Sequence, residues 1–458
     1  MMISPQEMSG DCSLALLQQL LIFAMILSFI TIIVLLLLVH KVLRVRMPRI
    51  HTPLTLLYSF KWPSWARPPA AAWCSLLTMP PEPPGWIPVL GHLPLMGGLS
   101  YRSLAQVAKR HELSLITLWL GSVPTVVAST SQTAKLVLGN HDMAFASRPP
   151  SAMGTYLGFG NRSIATSPPS EYWRRMQKLC IRHLLSAQAI ESFRDVRRIS
   201  VQQILNFLSE NRGHAVQLRD KLLDATLDVA STMIVSEPIS ELYPKAAQFI
   251  VHMLNLAGSS DVGHFVPWLA PFDFGSKRRE LKRVGHCWSS MLQCFIDRRR
   301  QSAGLSSTSC SGQSQDLLAA LICAEDLTDD MRNAIIADML LGASETIVST
   351  VEWAMAELLQ HPDIMVILKD ELGRIVGLGR LLAEDDLPQL KFLSAVVKET
   401  MRLHPVSPFL IPHESSEACE INGYSIPPKT RLFVNVWAIG RDEGIWESPH
   451  VFRPSRFL

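Results

Sequence analysis

Cysteine is scarce in this chain and scattered where it occurs. There are eight in 458 residues, at positions 12, 74, 180, 287, 294, 310, 323 and 419. No two have C-x-x-C spacing and none joins a histidine in a zinc-site pattern, so no structural zinc module is encoded. They read as inert thiols of a reducing compartment. An excess of one charge is also missing: 43 Lys plus Arg stand against 40 Asp plus Glu, for a net charge of +3. That balance gives no argument for a nucleic-acid or acidic partner, and no nucleic acid is expected. Internal repeats are absent, and so is any glycine-rich flavin or nicotinamide motif. What the chain does have is apolar material, 48% of its residues. This is enough for one large core.

The first informative stretch is LLIFAMILSFITIIVLLLLV, residues 20–39, which carries no charge. Twenty helical residues span roughly 30 Å, the thickness of a hydrocarbon core. A cleaved secretory signal would have a shorter apolar run and a small-residue cleavage site. Here His40, Lys41, Arg44, Arg46 and Arg49 follow, which keeps that flank cytosolic and makes residues 14–40 a retained single-pass anchor. Residues 41–85 read as a linker, where nine prolines interleaved with Trp62, Trp65 and Trp73 forbid regular helix. The remainder, 86–458, is expected to be one catalytic domain.

Past Gly85 the periodicity is mainly helical, with short strands near 116–120 and 125–128 and a hairpin at Asn422-Gly423. Residues 431–437 alternate as a strand. The expected class is mainly α with small β-sheets. The clearest element starts at Thr328, a capping residue followed by Asp329 and Asp330, and must stop near His361-Pro362. About 32 residues at 1.5 Å each make a helix near 48 Å, long enough to cross the domain. A second helix is expected from Leu387-Pro388 to Leu403, ending at His404-Pro405.

Two clusters on these helices carry chemistry. Gly342-Ala343-Ser344-Glu345-Thr346 puts a glycine in mid-helix, where it costs about 1 kcal/mol relative to alanine. The glycine suggests that something approaches the backbone closely; a kink with a locally bonded threonine is the plainer reading. Glu399 and Arg402 share a helix face at i, i+3. By itself that spacing means only a surface pair worth roughly 0.5 kcal/mol.

The context of these residues resembles a known family. KETMRLHP (398–405) is similar to the K-helix signature of the cytochromes P-450, and GASETI (342–347) to their oxygen-binding helix motif. PEPPGWIPVLGHL (81–93) resembles the proline-rich hinge, EYWRRMQK (171–178) the helix that contacts a haem propionate, and RDEGIWESPHVFRPSRF (441–457) the stretch holding the second conserved arginine. All five occur in family order. FASRP (145–149), FVPWL (265–269) and EWAMAELLQHP (352–362) resemble the plant microsomal branch.

The resemblance implies a haem (heme) monooxygenase of the endoplasmic reticulum membrane. It would use O2 and electrons from a separate NADPH-dependent flavoprotein reductase to hydroxylate a lipophilic small molecule. Glu345 and Thr346 would be the acid–alcohol pair delivering protons in oxygen activation. Gly342 and Ala343 would border the haem, and Trp173, Arg174 and His413 would contact its propionates. Residues 406–410 and 152–164 would line the substrate pocket. Glu399, Arg402 and Arg456 would form a charged triad locking the core. Gln177 stands where the family has a propionate-binding arginine, and Arg174 or Arg175 would compensate. None of the eight cysteines lies in the family's Phe-x-x-Gly-x-Arg-x-Cys-x-Gly loop, so no metal ligand is nominated and the axial cysteine is expected beyond Leu458. The alternative is a haem-less, inactive membrane-anchored relative.

Overall fold

The computed structural model describes residues 79–96, 100–258, 265–266, 277–302, 316–377 and 379–458. The expected anchor and most of the expected linker lie outside these residues. In chain order, the elements used below are α1 (Ser100–Arg110), β1 (Leu115–Leu120), β2 (Val123–Ala128), α2 (Glu171–Cys180), α3 (Arg194–Glu210), α4 (Leu218–Val235), α5 (Lys277–Ser302), α6 (Asp329–Gln360), α7 (Pro362–Ile375), α8 (Lys391–Leu403), β3 (His413–Glu414), β4 (Cys419–Ile421), β5 (Tyr424–Ile426) and β6 (Arg431–Val434).

The long helix α6 begins where the sequence says it should. Thr328 is its N-cap, accepting a hydrogen bond from the Met331 amide, and Asp329 and Asp330 occupy the positive end of its dipole. It ends at His361, because Pro362 opens α7. Its length and hydropathy would also suit a membrane span. In this fold its buried residues, among them Ile335, Ile336, Leu340 and Val348, join one apolar cluster with Leu223 and Leu227 of α4 and Trp288 and Leu292 of α5. Removing the cap with Thr328→Ala should cost about 1 kcal/mol, read as a lower urea midpoint with an unchanged slope.

Two small sheets complete the architecture. The larger has strand order β1-β2-β6-β3, with β2 and β6 parallel and the other pairs antiparallel. Its β1 is buried throughout, against Leu104 of α1 on one side. The smaller sheet is the β4–β5 hairpin, whose turn places Asn422 at φ 51° and Gly423 at φ 77°, the left-handed pair that such a two-residue loop needs.

Three expectations need correction. The strand expected over 431–437 stops at Val434, because the Asn435 side chain accepts from the Ala438 amide and starts a helical turn. The helix expected from Leu387 starts at Lys391. Residues Glu384–Gln389 form a 3-10 turn, and the helix is capped from outside by the Glu371 carboxylate, which accepts from the Phe392 and Leu393 amides at 2.7 and 2.9 Å. Finally, Cys323 is in a disulfide rather than a thiol.

Candidate functional site

The α8 segment builds the most heavily paired charge cluster. Glu399 is fully buried, and its carboxylate accepts from Arg402 Nε at 2.6 Å and Nη2 at 2.7 Å. The same carboxylate accepts from Arg456 Nε at 3.0 Å and from the Arg453 amide at 2.8 Å. Arg402 also donates to the carbonyls of Gly440 and Pro449 and lies 5.2 Å from the Trp446 ring centroid. Gly440 is required there, since a Cβ would sit 2.5 Å from the Arg402 carbonyl oxygen. Burial pushes the Glu399 carboxyl up, but the hydrogen bonds from Arg402 and the Arg453 amide outweigh it and hold it below its ordinary value. Glu399, Arg402 and Arg456 thus stand together, tying α8 to the stretch after β6.

One strip of α6, hereafter the groove, is left uncovered. Gly342 and Thr346 are exposed although the helix runs through the core, and a Cβ added at Gly342 would meet nothing within 4 Å. Ile347 beside them is 48% exposed. Thr346 Oγ1 donates to the Gly342 carbonyl at 2.8 Å, so the hydroxyl is fixed on the groove strip. Ala343 instead packs against the apolar core, and Ser344 is fully buried. Further along α6, Trp353 stacks face to face on His404, with 3.8 Å between ring centroids. The chain then runs on through Val406 and Ile411, exposed by 41% and 49%. Apolar surface is therefore left bare on α6 and on the segment that follows α8.

Glu345 points elsewhere. Its carboxylate pairs with Arg219 of α4, which also binds Glu352. Its second oxygen, Oε2, is buried with no partner. Acid and alcohol are neighbours in sequence but make no hydrogen bond to each other; Glu345 faces α4 and Thr346 faces the groove.

The residues expected near the propionates divide differently from the sequence reading. Trp173 Nε1 donates to the Ile164 carbonyl at 3.0 Å, so its donor is already engaged by the loop before α2. Arg174 and Gln177 are exposed, and Arg175 is paired with Asp326. His413 Nδ1 donates to the Phe145 carbonyl at 2.7 Å. Burial and the adjacent Arg148 charge push its pKa down, so His413 is a neutral imidazole at pH 7. The cation at this place is Arg148, whose Nη1 donates to the Ile411 and Pro412 carbonyls at 2.9 and 3.0 Å. Sequence reasoning noticed FASRP but gave its arginine no role. The signal was an arginine three residues after the core pair Ala144 and Phe145.

The uncovered strip of α6 suits a flat apolar group, and Arg148 is a cation of the kind that pairs with an acidic substituent. Among the described residues no cluster of three His, Cys, Asp or Glu could hold a metal ion. The cytochrome P-450 family profile matches residues 80–458. The chain belongs to the cytochrome P-450 family.

Its P-450 relatives include the dimethylnonatriene synthase of Zea mays, 39% identical over 408 residues, which cover 83% of this chain and 76% of that protein. The flavonoid 3'-monooxygenase of Petunia hybrida is 33% identical over 399 residues, covering 83% of this chain and 76% of its own length. Among solved structures, a zebrafish cytochrome P-450 with progesterone superposes with a TM-score of 0.68 at 26% identity, over 78% of this chain and 84% of that one. The mainly α class with small sheets is the family's fold, and the protein is an oxidoreductase of the monooxygenase kind.

Proposed function

We propose that this P-450 binds haem in the groove beside Gly342 and Thr346 and hydroxylates a lipophilic small molecule. O2 is the co-substrate and the electrons come from a separate NADPH-dependent flavoprotein reductase. The observation that carries the reading is the bare strip of α6, where a mid-helix glycine and a threonine hydroxyl face open space inside a buried helix. Haem, when bound, supplies oxygen reduction and transfer of an oxygen atom to carbon. This chain's residues do the rest. Gly342 lets a flat group lie against the backbone. Thr346 presents a hydroxyl, already aligned by the Gly342 carbonyl, to hold and pass a proton. Glu345 would replenish that proton through water or a side-chain rotation, since it makes no direct bond to Thr346. Arg148 would meet a propionate, Trp173 and Arg174 would join it by exchanging their present neighbours, and the neutral His413 would orient rather than neutralise.

The same reading includes residues 14–40 as a single-pass anchor in the endoplasmic reticulum membrane, 41–85 as its linker and 86–458 as the catalytic domain on the cytosolic side. Turnover with 18O2 tests the chemistry: one labelled atom should enter the product. In the reductase-coupled enzyme, Thr346→Ala should lower product formed per NADPH consumed by on the order of tenfold or more. Unchanged coupling would remove Thr346 from proton delivery.

A further inference from the structure

The segment between Ser151 and α2 is wound tightly. Phe159, Gly160 and Asn161 take φ values of 52°, 72° and 61°, three consecutive left-handed residues. Such a backbone persists only where surrounding contacts over-determine it. Several do: Ser167 Oγ donates to the Asn161 carbonyl at 2.8 Å, Tyr172 Oη to the Arg162 carbonyl at 2.8 Å and Trp173 Nε1 to the Ile164 carbonyl at 3.0 Å. Two further ties reach α6. One is the exposed Arg162–Asp330 pair at 3.1 Å, which is screened and weak. The other is Asp338, whose carboxylate accepts from the Ala165 amide at 3.2 Å, with the Ser163 hydroxyl and the Ile164 amide also directed at it.

Asp338 lies four residues before Gly342 and eight before Thr346, so all three occupy one strip of α6. The segment it holds therefore docks on the groove strip one turn ahead of the groove itself. We infer that Asp338 is a positioning residue: it fastens residues 163–165 to α6 as the end wall of the groove and so governs how far the groove opens to substrate. The inference deepens the haem-groove reading and rests on it for the word substrate; the tether itself rests on the hydrogen bonds.

The groups facing Asp338 are the Tyr172 hydroxyl and the Cys180 thiol from α2 and the Ser163 hydroxyl, with Arg162 beyond Tyr172. Burial pushes both Tyr172 and Cys180 up to about 12, so neither changes charge between pH 5 and 8. Burial also pushes Asp338 up, to about 6, against the hydrogen bonds it accepts. A fastened segment thus binds the Asp338 proton more tightly than an open, hydrated one whose carboxyl has its ordinary value. Linkage gives the sign: lowering the pH through 6 favours the fastened form, and raising it favours opening.

Amide hydrogen exchange on the full chain reads this without haem. Corrected for intrinsic rates, protection at Ile164 and Ala165 should rise about fourfold from pH 7.5 to 5.5, given a fastened pKa of about 6 and an open one of 3.8. Asp338→Asn keeps an acceptor but cannot titrate, and should show protection independent of pH. Asp338→Ala should lose that protection at both pH values while α6 amides stay protected; should it fail to fold, the asparagine variant decides alone. Persistence of the pH response in Asp338→Asn, or full protection in a folded Asp338→Ala, overturns the tether. Neither result bears on haem binding, and failure to bind haem would leave the exchange result standing.

Discussion

Glu399→Ala is expected to cost about 3–5 kcal/mol of stability, enough to unfold a protein of ordinary margin at growth temperature. The reason is asymmetric. With Glu399 gone, Arg402, at 7% exposure, would remain inside the domain with no carboxylate, holding only backbone carbonyls. Arg456 and the Arg453 amide would lose the same partner. Arg402→Ala should cost somewhat less, because the Glu399 carboxylate, at zero exposure, loses its two closest donors but keeps Arg456 Nε and the Arg453 amide. The double variant should cost less than the sum of the two, since the Arg402–Glu399 pair is lost only once, although Arg456 is still left without its carboxylate. Chemical denaturation of the three variants measures this. The pH dependence has a definite sign. Glu399 is held below its ordinary value in the fold, so its contribution is fully present at neutral pH. It is lost as the pH falls below the ordinary carboxylate range. Acid should therefore unfold the native protein earlier than a variant in which the cluster is replaced by apolar residues.

Arg148→Leu is expected to weaken haem retention by roughly 10- to 100-fold, the worth of a charge-assisted hydrogen bond of about 1.5–3 kcal/mol. Its guanidinium lies beside His413, and His413 itself is kept neutral by burial and by that same charge. Arg148→Lys separates the two duties. A lysine keeps the charge but lacks the planar fork with which Arg148 holds the carbonyls of Ile411 and Pro412. Haem retention in the lysine variant should lie between the native protein and Arg148→Leu. Retention unchanged in Arg148→Leu would assign the arginine to backbone support alone. The rate of haem transfer to an apo-globin acceptor is a suitable readout.

The fold was legible where local chemistry decides structure. Thr328, two aspartates and a terminal proline marked where α6 starts and near where it stops, and Asn422-Gly423 announced its hairpin. It was less legible where a distant group decides. The start of α8 depends on Glu371, twenty-one residues before the amide it caps. The cluster of Glu399, Arg402 and Arg456 could be named from motif context, but Trp446 and Gly440 emerge only when the chain closes on itself. Arg148 was missed for the same reason: its partners lie 263 and 264 residues away. Asp338 was counted only as part of an apolar helix, since nothing local shows that a loop 173 residues earlier donates to it.

The central claim is that the strip of α6 from Gly342 to Thr346 receives haem. Its most direct test is the reduced, carbon monoxide-bound absorption spectrum of membranes carrying the protein. Native sequence should give the band for which the family is named, and Gly342→Phe, which fills the open space, should abolish it while thermal unfolding of the domain is little changed. A full-strength band in Gly342→Phe, or none in a folded native protein, would contradict the account.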